Sequence, residues 1–483
     1  MAKNRRDGEH DEFPLPTKIL SNGEFTPPPQ SENQKKVERR INELTDTFAG
    51  KLGMDRRAFL KTSCGMAVAF MAMNEIYGYF FDVSPCEAAE PNAPRFRQLG
   101  SQFIFDVQTH FVRDRYTWKG TLPLREEAKK KGWNPELKGE KTDLDKVKFQ
   151  NYLREIFVES DTSIALLTSA PFDQTEKWFL FNDEMAKARA QVNKMAGSKR
   201  LYCHALFTPG RPGWLKEMDL AIPLKPDSWK GYTVGAPFEN SKYHWRLDDE
   251  KLVYPAYEKM VKAGIKNVCI HKGILPPGYN LKMMRNWQAS KVDDVGKAAK
   301  DWPQLNFIIY HSALKMGVEP PEEELSRFEK DGRIEWVSDL AEVPAKYGVK
   351  NVYGELGASF AASCVSHPRF CAGMLGQLVK GLGADHVLWG TDSVWYGSPQ
   401  WQIEAFRRIE IPPDMQQKYS FAALGPVDGE VKNMIFGENA ARLYGIDVND
   451  YKRKAATSPD NFAILKDSWV EGEEAHVSSI IGG

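Results

Sequence analysis

From Gln102 onward the chain repeats one unit eight times: a short apolar run of strand length, followed by a longer stretch with helical spacing. Apolar runs that alternate with helices belong to parallel sheets, because each crossover helix covers a face of the sheet and lets the strand be apolar throughout. The predicted strands are 103–109, 163–168, 201–207, 231–234, 267–270, 306–310, 351–354 and 386–390, and the fourth carries the weakest pattern. Eight such units predict an α/β fold, a (β/α)8 TIM barrel over 101–447 with insertions. An open doubly wound sheet is the alternative, and it is disfavoured because no G-x-G-x-x-G turn follows the first strand. A flexible N-terminal region, 1–100, and a polar C-terminal tail, 448–483, flank the barrel. The tail has no core pattern and is read as an arm for homo-oligomer contacts.

Sixty-five basic residues balance 65 acidic ones, so no bulk field draws nucleic acid or a membrane surface. The expected partner is a small-molecule substrate. The six cysteines, Cys64, Cys86, Cys203, Cys269, Cys364 and Cys371, contain no C-x-x-C pair. A cysteine zinc module is excluded on that spacing, and Cys203 and Cys269 sit within apolar runs as small hydrophobes.

The region up to about Gly50 is polar and includes Pro27-Pro28-Pro29, although Val37, Ile41 and Leu44 recur at helical spacing within 36–48. Asp55-Arg56-Arg57-Ala58-Phe59-Leu60-Lys61 then precedes an apolar run, 64–73, that is too short to span a bilayer. This layout resembles a twin-arginine export signal, which implies a periplasmic or otherwise exported protein with cleavage near 86–89. If the signal does not function, the protein is cytoplasmic and the segment is a helix packed on the barrel.

Informative polar residues gather where the strands end. The first strand reads Phe103-Ile-Phe-Asp106-Val-Gln108-Thr-His110, and strict alternation places Asp106, Gln108 and His110 on one face. The fifth ends in His271-Lys272, the sixth in Tyr310-His311-Ser312, the seventh in Glu355, and the eighth in Gly390-Thr391-Asp392-Ser393. Barrel enzymes build their sites from the C-terminal ends of several strands. A His, Gln and Asp set converging there offers one divalent metal its N and O ligands and leaves a position open for water or substrate. His204 lies mid-strand and reads as structural. The long insert 111–151, with Trp118 and Trp133, follows the first strand and reads as a lid over the site.

The ordered set resembles the amidohydrolase-2 family of the amidohydrolase superfamily, which includes aminocarboxymuconate semialdehyde decarboxylase and γ-resorcylate decarboxylase. The resemblance covers 103–446 and includes Ser163-Ile-Ala-Leu-Leu167, Trp229-Lys-Gly-Tyr232 and the closing stretch Asn433 to Gly445, NMIFGENAARLYG. It implies that His110, His271 and Asp392 are metal ligands, with Gln108 the fourth donor. It implies that His311, with Asp392, is the catalytic acid or base. One divalent ion is expected, zinc first and manganese compatible with the same donors. Gln108 departs from the family, which usually has His there, or Glu in some decarboxylases. A neutral glutamine leaves the bound ion with net positive charge. Metal binding is then weak, or an anionic substrate completes the shell, or catalysis has been lost.

Trp395 and Tyr396 lie just past Asp392 and suit an aromatic or otherwise planar substrate. Lys272, Arg285 and Lys230 are candidates to meet a substrate carboxylate, and Glu355 is a candidate to orient a ligand. The expected activity is hydrolysis through a metal-activated water. Non-oxidative decarboxylation of an aromatic or unsaturated acid is the alternative, and a catalytically degenerate binding subunit is a second.

Overall fold

The computed structural model describes residues 13–15, 17, 29–90, 99, 102–118, 143–237, 240–275, 284–315, 320–395 and 397–470. Its strands are β1 (Phe105–Thr109), β2 (Ile164–Leu167), β3 (Leu201–Leu206), β4 (Ser228–Tyr232), β5 (Asn267–His271), β6 (Asn306–Tyr310), β7 (Val352–Glu355) and β8 (Val387–Leu388). They form one eight-stranded sheet in chain order, with every neighbouring pair parallel. The ring closes where the chain beyond β8 meets β1. Val107 N donates to Trp389 O at 3.0 Å, Asp392 N to Gln108 O at 2.9 Å and His110 N to Ser393 O at 2.6 Å. The fold is the expected (β/α)8 barrel. The fourth strand begins three residues earlier than predicted, because Lys230 and Gly231 interrupt its apolar alternation without interrupting its backbone pairing with β5.

Inside the barrel Phe105, Val107, Leu166, Tyr202, Ile308, Tyr310 and Leu388 pack as one cluster, which Ala440 and Ala441 of the closing helix Asn439–Tyr444 seal from below. The alternation expected along β1 does not hold. A bulge between Asp106 and Thr109 sets three residues of β1 against two of β2. Bulges re-aim side chains in this way. Here Val107 stays in the interior cluster, Gln108 and His110 reach Asp392, and Asp106 turns to Thr391, whose amide donates to it at 3.0 Å.

Both flanking regions differ from expectation. Among its described residues, the supposedly flexible N-terminal region holds four helices: α1 (Glu32–Leu52), α2 (Arg56–Leu60), α3 (Ser63–Tyr77) and α4 (Pro85–Ala89). In α1 the buried Val37, Ile41 and Leu44 mark the predicted spacing. The apolar run 64–73 lies within α3. The tail forms the helices Val448–Thr457 and Asn461–Val470, and Phe462 of the second stacks on Phe157 at 5.1 Å. The tail looks unstructured in sequence because its apolar residues are few, whereas α1 and α3 bury their apolar faces chiefly against each other. No described helix is long and apolar enough to cross a membrane.

Candidate active site

The site is built where strands end in backbone that L-residues rarely adopt. After β6 the residues His311, Ser312 and Ala313 have φ of 61°, 48° and 56°, and after β8 Asp392 has φ 61°. Each such residue costs roughly 1–3 kcal/mol and persists only where its surroundings over-determine it. Glu355 at the end of β7 does this for His311: its Oε2 accepts from His311 N at 2.9 Å, and its backbone O accepts from Ser312 Oγ at 2.9 Å. Ser359 Oγ donates to His311 O at 2.6 Å. Asp106 performs the same service for β8 by holding both the amide and the hydroxyl of Thr391. From the next helix Gln402 Nε2 donates to Thr391 O at 3.2 Å.

These constraints bring four of the predicted residues together. Asp392 Oδ1 stands 2.9 Å from His110 Nε2 and accepts from Gln108 Nε2 at 2.9 Å. Gln108 Nε2 also lies 3.4 Å from His311 Nε2. His271 joins through His311, with their rings edge to face and centroids 4.7 Å apart, while Tyr232 stacks on its other side at 4.7 Å. All five polar side chains are buried.

Burial sets the electrostatics. It holds His110, His271 and His311 well below the ordinary imidazole pKa, and the Lys230 ammonium adds to the effect at each ring. At His311 the neighbouring His271 contributes more than Lys230. The three rings are therefore neutral at physiological pH, the form that binds metal and accepts protons. Burial also pushes Glu355 up to about 8 and Asp106 up to about 7. Among the described residues, Glu355 hydrogen-bonds the His311 backbone amide and no ligand side chain.

The other predicted residues fall elsewhere. Lys272 is fully buried and turned into a structural pair: its ammonium bonds Ala289 O at 2.9 Å, Lys291 O at 2.7 Å and Asp294. Arg285 is exposed. Lys230 lies below the mouth, with its Nζ 3.2 Å from the centroid of the Tyr310 ring. His204 is engaged by Tyr310 Oη at 3.0 Å and Ser228 Oγ at 2.8 Å, as befits a structural histidine. Trp395 does reach the site, with its ring 5.6 Å from His110. Tyr396 and most of the expected lid, 119–142, lie outside the described residues. Sequence reading missed Phe179, whose ring sits 6.1 Å from His110 and 5.1 Å from Trp395. Phe172 and Tyr116 pack behind it. Phe179 sits in the loop after β2, and no spacing rule marks it as a wall of the site.

Among the described residues, no group of three or more His, Cys, Asp and Glu is arranged to hold a metal ion as the side chains stand. The donor chemistry nevertheless fits one. The Nδ1 atoms of His110, His271 and His311 and Oε1 of Gln108 are buried with no hydrogen-bond partner. Neutral imidazoles around one carboxylate are the donor set of divalent ions.

Gly357 keeps the space behind the site open. A Cβ there would meet Gln108 Oε1 at 2.5 Å, His311 Nδ1 at 2.7 Å and Glu355 Oε1 at 2.9 Å, on a backbone with φ +42°. Gly357→Ala is expected to displace Gln108 and His311 and to lower activity at least about 100-fold, since misplacing a catalytic group by an ångström costs that much. Steady-state kinetics beside a melting curve check this, with the loss of rate exceeding any loss of folded protein.

Residues 227–446 match the model of a family described as amidohydrolase. The match covers under half of the chain and runs from β4 past β8, so it includes His271, His311 and Asp392 but not Gln108 or His110. No curated protein matches the chain. Among solved structures, 5-carboxyvanillate decarboxylase from Sphingomonas paucimobilis is 14% identical, covering 72% of this chain and 100% of that one, with a TM-score of 0.40. The corresponding decarboxylase from Novosphingobium aromaticivorans, with bound manganese and a nitrobenzoic acid, is 12% identical, covering 72% and 98%, with a TM-score of 0.41. The 2,6-dihydroxybenzoate decarboxylase from Rhizobium is 14% identical, covering 71% and 99%, with a TM-score of 0.39. At these scores the likenesses assign no activity to this chain.

Proposed function

We propose that the protein is a metal-dependent enzyme of the hydrolase kind that acts on a small, planar, anionic substrate. The observation that carries this reading is the buried chain of contacts at the C-terminal mouth of the barrel in which His110 meets Asp392, Gln108 links Asp392 to His311, and His271 packs edge to face on His311. The amidohydrolase match over 227–446 supports it.

His110, His271 and Asp392 would hold the ion, with Gln108 as a neutral fourth donor. A divalent ion bound there supplies Lewis acidity, which polarises a carbonyl and lowers the pKa of water. With a single carboxylate among its ligands the centre keeps positive charge, which selects an anionic substrate. His311 accepts the proton of the attacking water at an imidazole nitrogen and returns it to the leaving group. Burial keeps the His311 ring in its unprotonated form, able to accept a proton. Glu355 holds His311 in place through the backbone, and Asp106 holds the Asp392 turn through Thr391. Phe179 and Trp395 form a wall beside His110 that excludes water and suits a flat ring.

The same wall favours a second reading, decarboxylation. A carboxylate stripped of water against aromatic rings is closer to losing carbon dioxide than one in solvent. The two are separated by incubating the metal-loaded protein with lactones and hydroxybenzoates in heavy-oxygen water. Label appearing in a product carboxylate supports hydrolysis. Carbon dioxide released without label sinks hydrolysis and leaves the carboxy-lyase. Metal bound with neither product across the panel would point to a binding subunit.

A further inference from the structure

Arg56-Arg57-Ala58-Phe59-Leu60-Lys61 and the apolar run behind it are the sequence motif that the proposed chemistry leaves unused. We infer that residues 55–89 are a permanent structural element of the folded enzyme, a helical buttress for the helix Gln400–Arg408, and not a removable export signal.

Most of the motif has a structural task, although Arg57 and Lys61 are exposed. Asp55 caps α2, its Oδ1 accepting from Arg57 N and Ala58 N at 3.0 Å each. Arg56 ties α2 to α1 through Asn42 Oδ1 at 2.6 Å and through Asp46. Phe59 and Leu60 are buried, and so are Cys64, Ala67, Val68, Phe70 and Met73 of α3. An h-region is uniformly apolar so that it can enter a lipid or translocon environment. Here the same property is satisfied because α3 is covered by α1, α4 and the helix Gln400–Arg408.

The chain beyond α3 is stitched to the barrel. Asp82 N donates to Arg408 O at 2.8 Å and Glu410 N to Phe80 O at 2.8 Å, with Phe81 bridged to Ile409. Asn74 braces this turn through Phe80 N, Phe81 N and Phe81 O. The expected cleavage region lies in α4, where Glu87 and Ala88 are buried and Glu87 Oε2 accepts from Arg408 Nη2 at 3.0 Å. A peptidase needs extended, accessible chain, and this stretch is helical with Glu87 and Ala88 covered, although Cys86 is exposed. Cleavage after α4 would strip the partners from Ile409 and the buried Arg408. It would also loosen the helix whose Gln402 holds Thr391 beside Asp392.

The test is to express the full chain in a bacterium with a working twin-arginine route and to measure intact masses of the folded protein from cytoplasm and periplasm. Residues 55–89 are expected in every folded molecule from either fraction, and folded molecules beginning after Ala89 would overturn the inference. The double variant Arg56→Lys, Arg57→Lys is expected to leave the compartment of the folded protein unchanged, and a shift of the protein between fractions would overturn it. Val68→Asp places a charge in the covered face. It is expected to lower the melting temperature by at least about 5 °C or to abolish soluble protein. A signal reading instead expects that variant to fold normally in the cytoplasm, and an unchanged melting curve would decide for it.

Discussion

The double variant His110→Ala, Asp392→Ala should lose its bound metal and its activity while keeping its fold. Elemental analysis of the parent is expected to find near one equivalent of zinc or manganese after incubation with either ion. Loss of a group that merely orients a metal ligand costs about 10–100-fold in affinity. Removing two donors at once is therefore expected to exceed about 100-fold. The fold should survive because neither side chain bridges barrel elements to the exclusion of backbone. His110 N to Ser393 O and Asp392 N to Gln108 O close the ring independently of both side chains. Circular dichroism should match the parent. Metal retained at parental stoichiometry by the double variant would mean that the ion sits elsewhere. No metal in the parent after incubation would leave a barrel that binds without metal chemistry.

Arg407→Ala should produce the largest loss of stability among single changes far from the site. Arg407 is 1% exposed. Its Nη1 reaches Asp161 Oδ2 at 2.6 Å and Glu404 Oε1 at 2.7 Å, its Nε reaches Gln102 Oε1 at 3.0 Å and its Nη2 reaches Leu99 O at 2.9 Å. Lys466, from the C-terminal helix, also binds Asp161. Truncation leaves two largely buried carboxylates with one cation fewer, a change that costs about 3–5 kcal/mol. The urea midpoint should fall accordingly, with or without metal. The pH dependence supplies an independent readout. Burial alone would raise the Asp161 pKa, but Lys466 and Arg407 outweigh it and hold the carboxyl well below the usual range. A carboxyl with a depressed folded pKa stabilises the fold above its unfolded value of about 4 and loses that contribution as pH falls further. In the variant Asp161 titrates closer to its unfolded value, so the acid-dependent part of stability should shrink. An unchanged acid slope would show that Lys466 alone sets the state of Asp161.

The sequence determined the barrel and put His110, His271, His311 and Asp392 at strand ends, and tertiary structure decided how those side chains are arranged. Eight apolar runs separated by helical stretches dictate a parallel sheet, because the period of burial is local and each unit carries its own copy. His110, His271, His311 and Asp392 are legible because strand ends are legible, and in a closed barrel all strand ends on one face converge. What Gln108, Asp106 and Glu355 do was not legible in the same way. A bulge in β1 overrides the alternation that would group Asp106 with Gln108 and His110, and bulges depend on the pairing partner, which a single strand does not encode. Glu355, at the end of β7, orients the backbone amide that follows β6, a residue 44 positions earlier in the chain but adjacent in the ring. Phe179 becomes a wall only because the loop after β2 folds across β1. The segment from Asp55 to Ala89 is the sharpest contrast. Its local pattern fits an export signal and a buried helix pair equally well, since both need the same apolar run. Only the surface offered by the helix Gln400–Arg408, more than 300 residues downstream, selects between them.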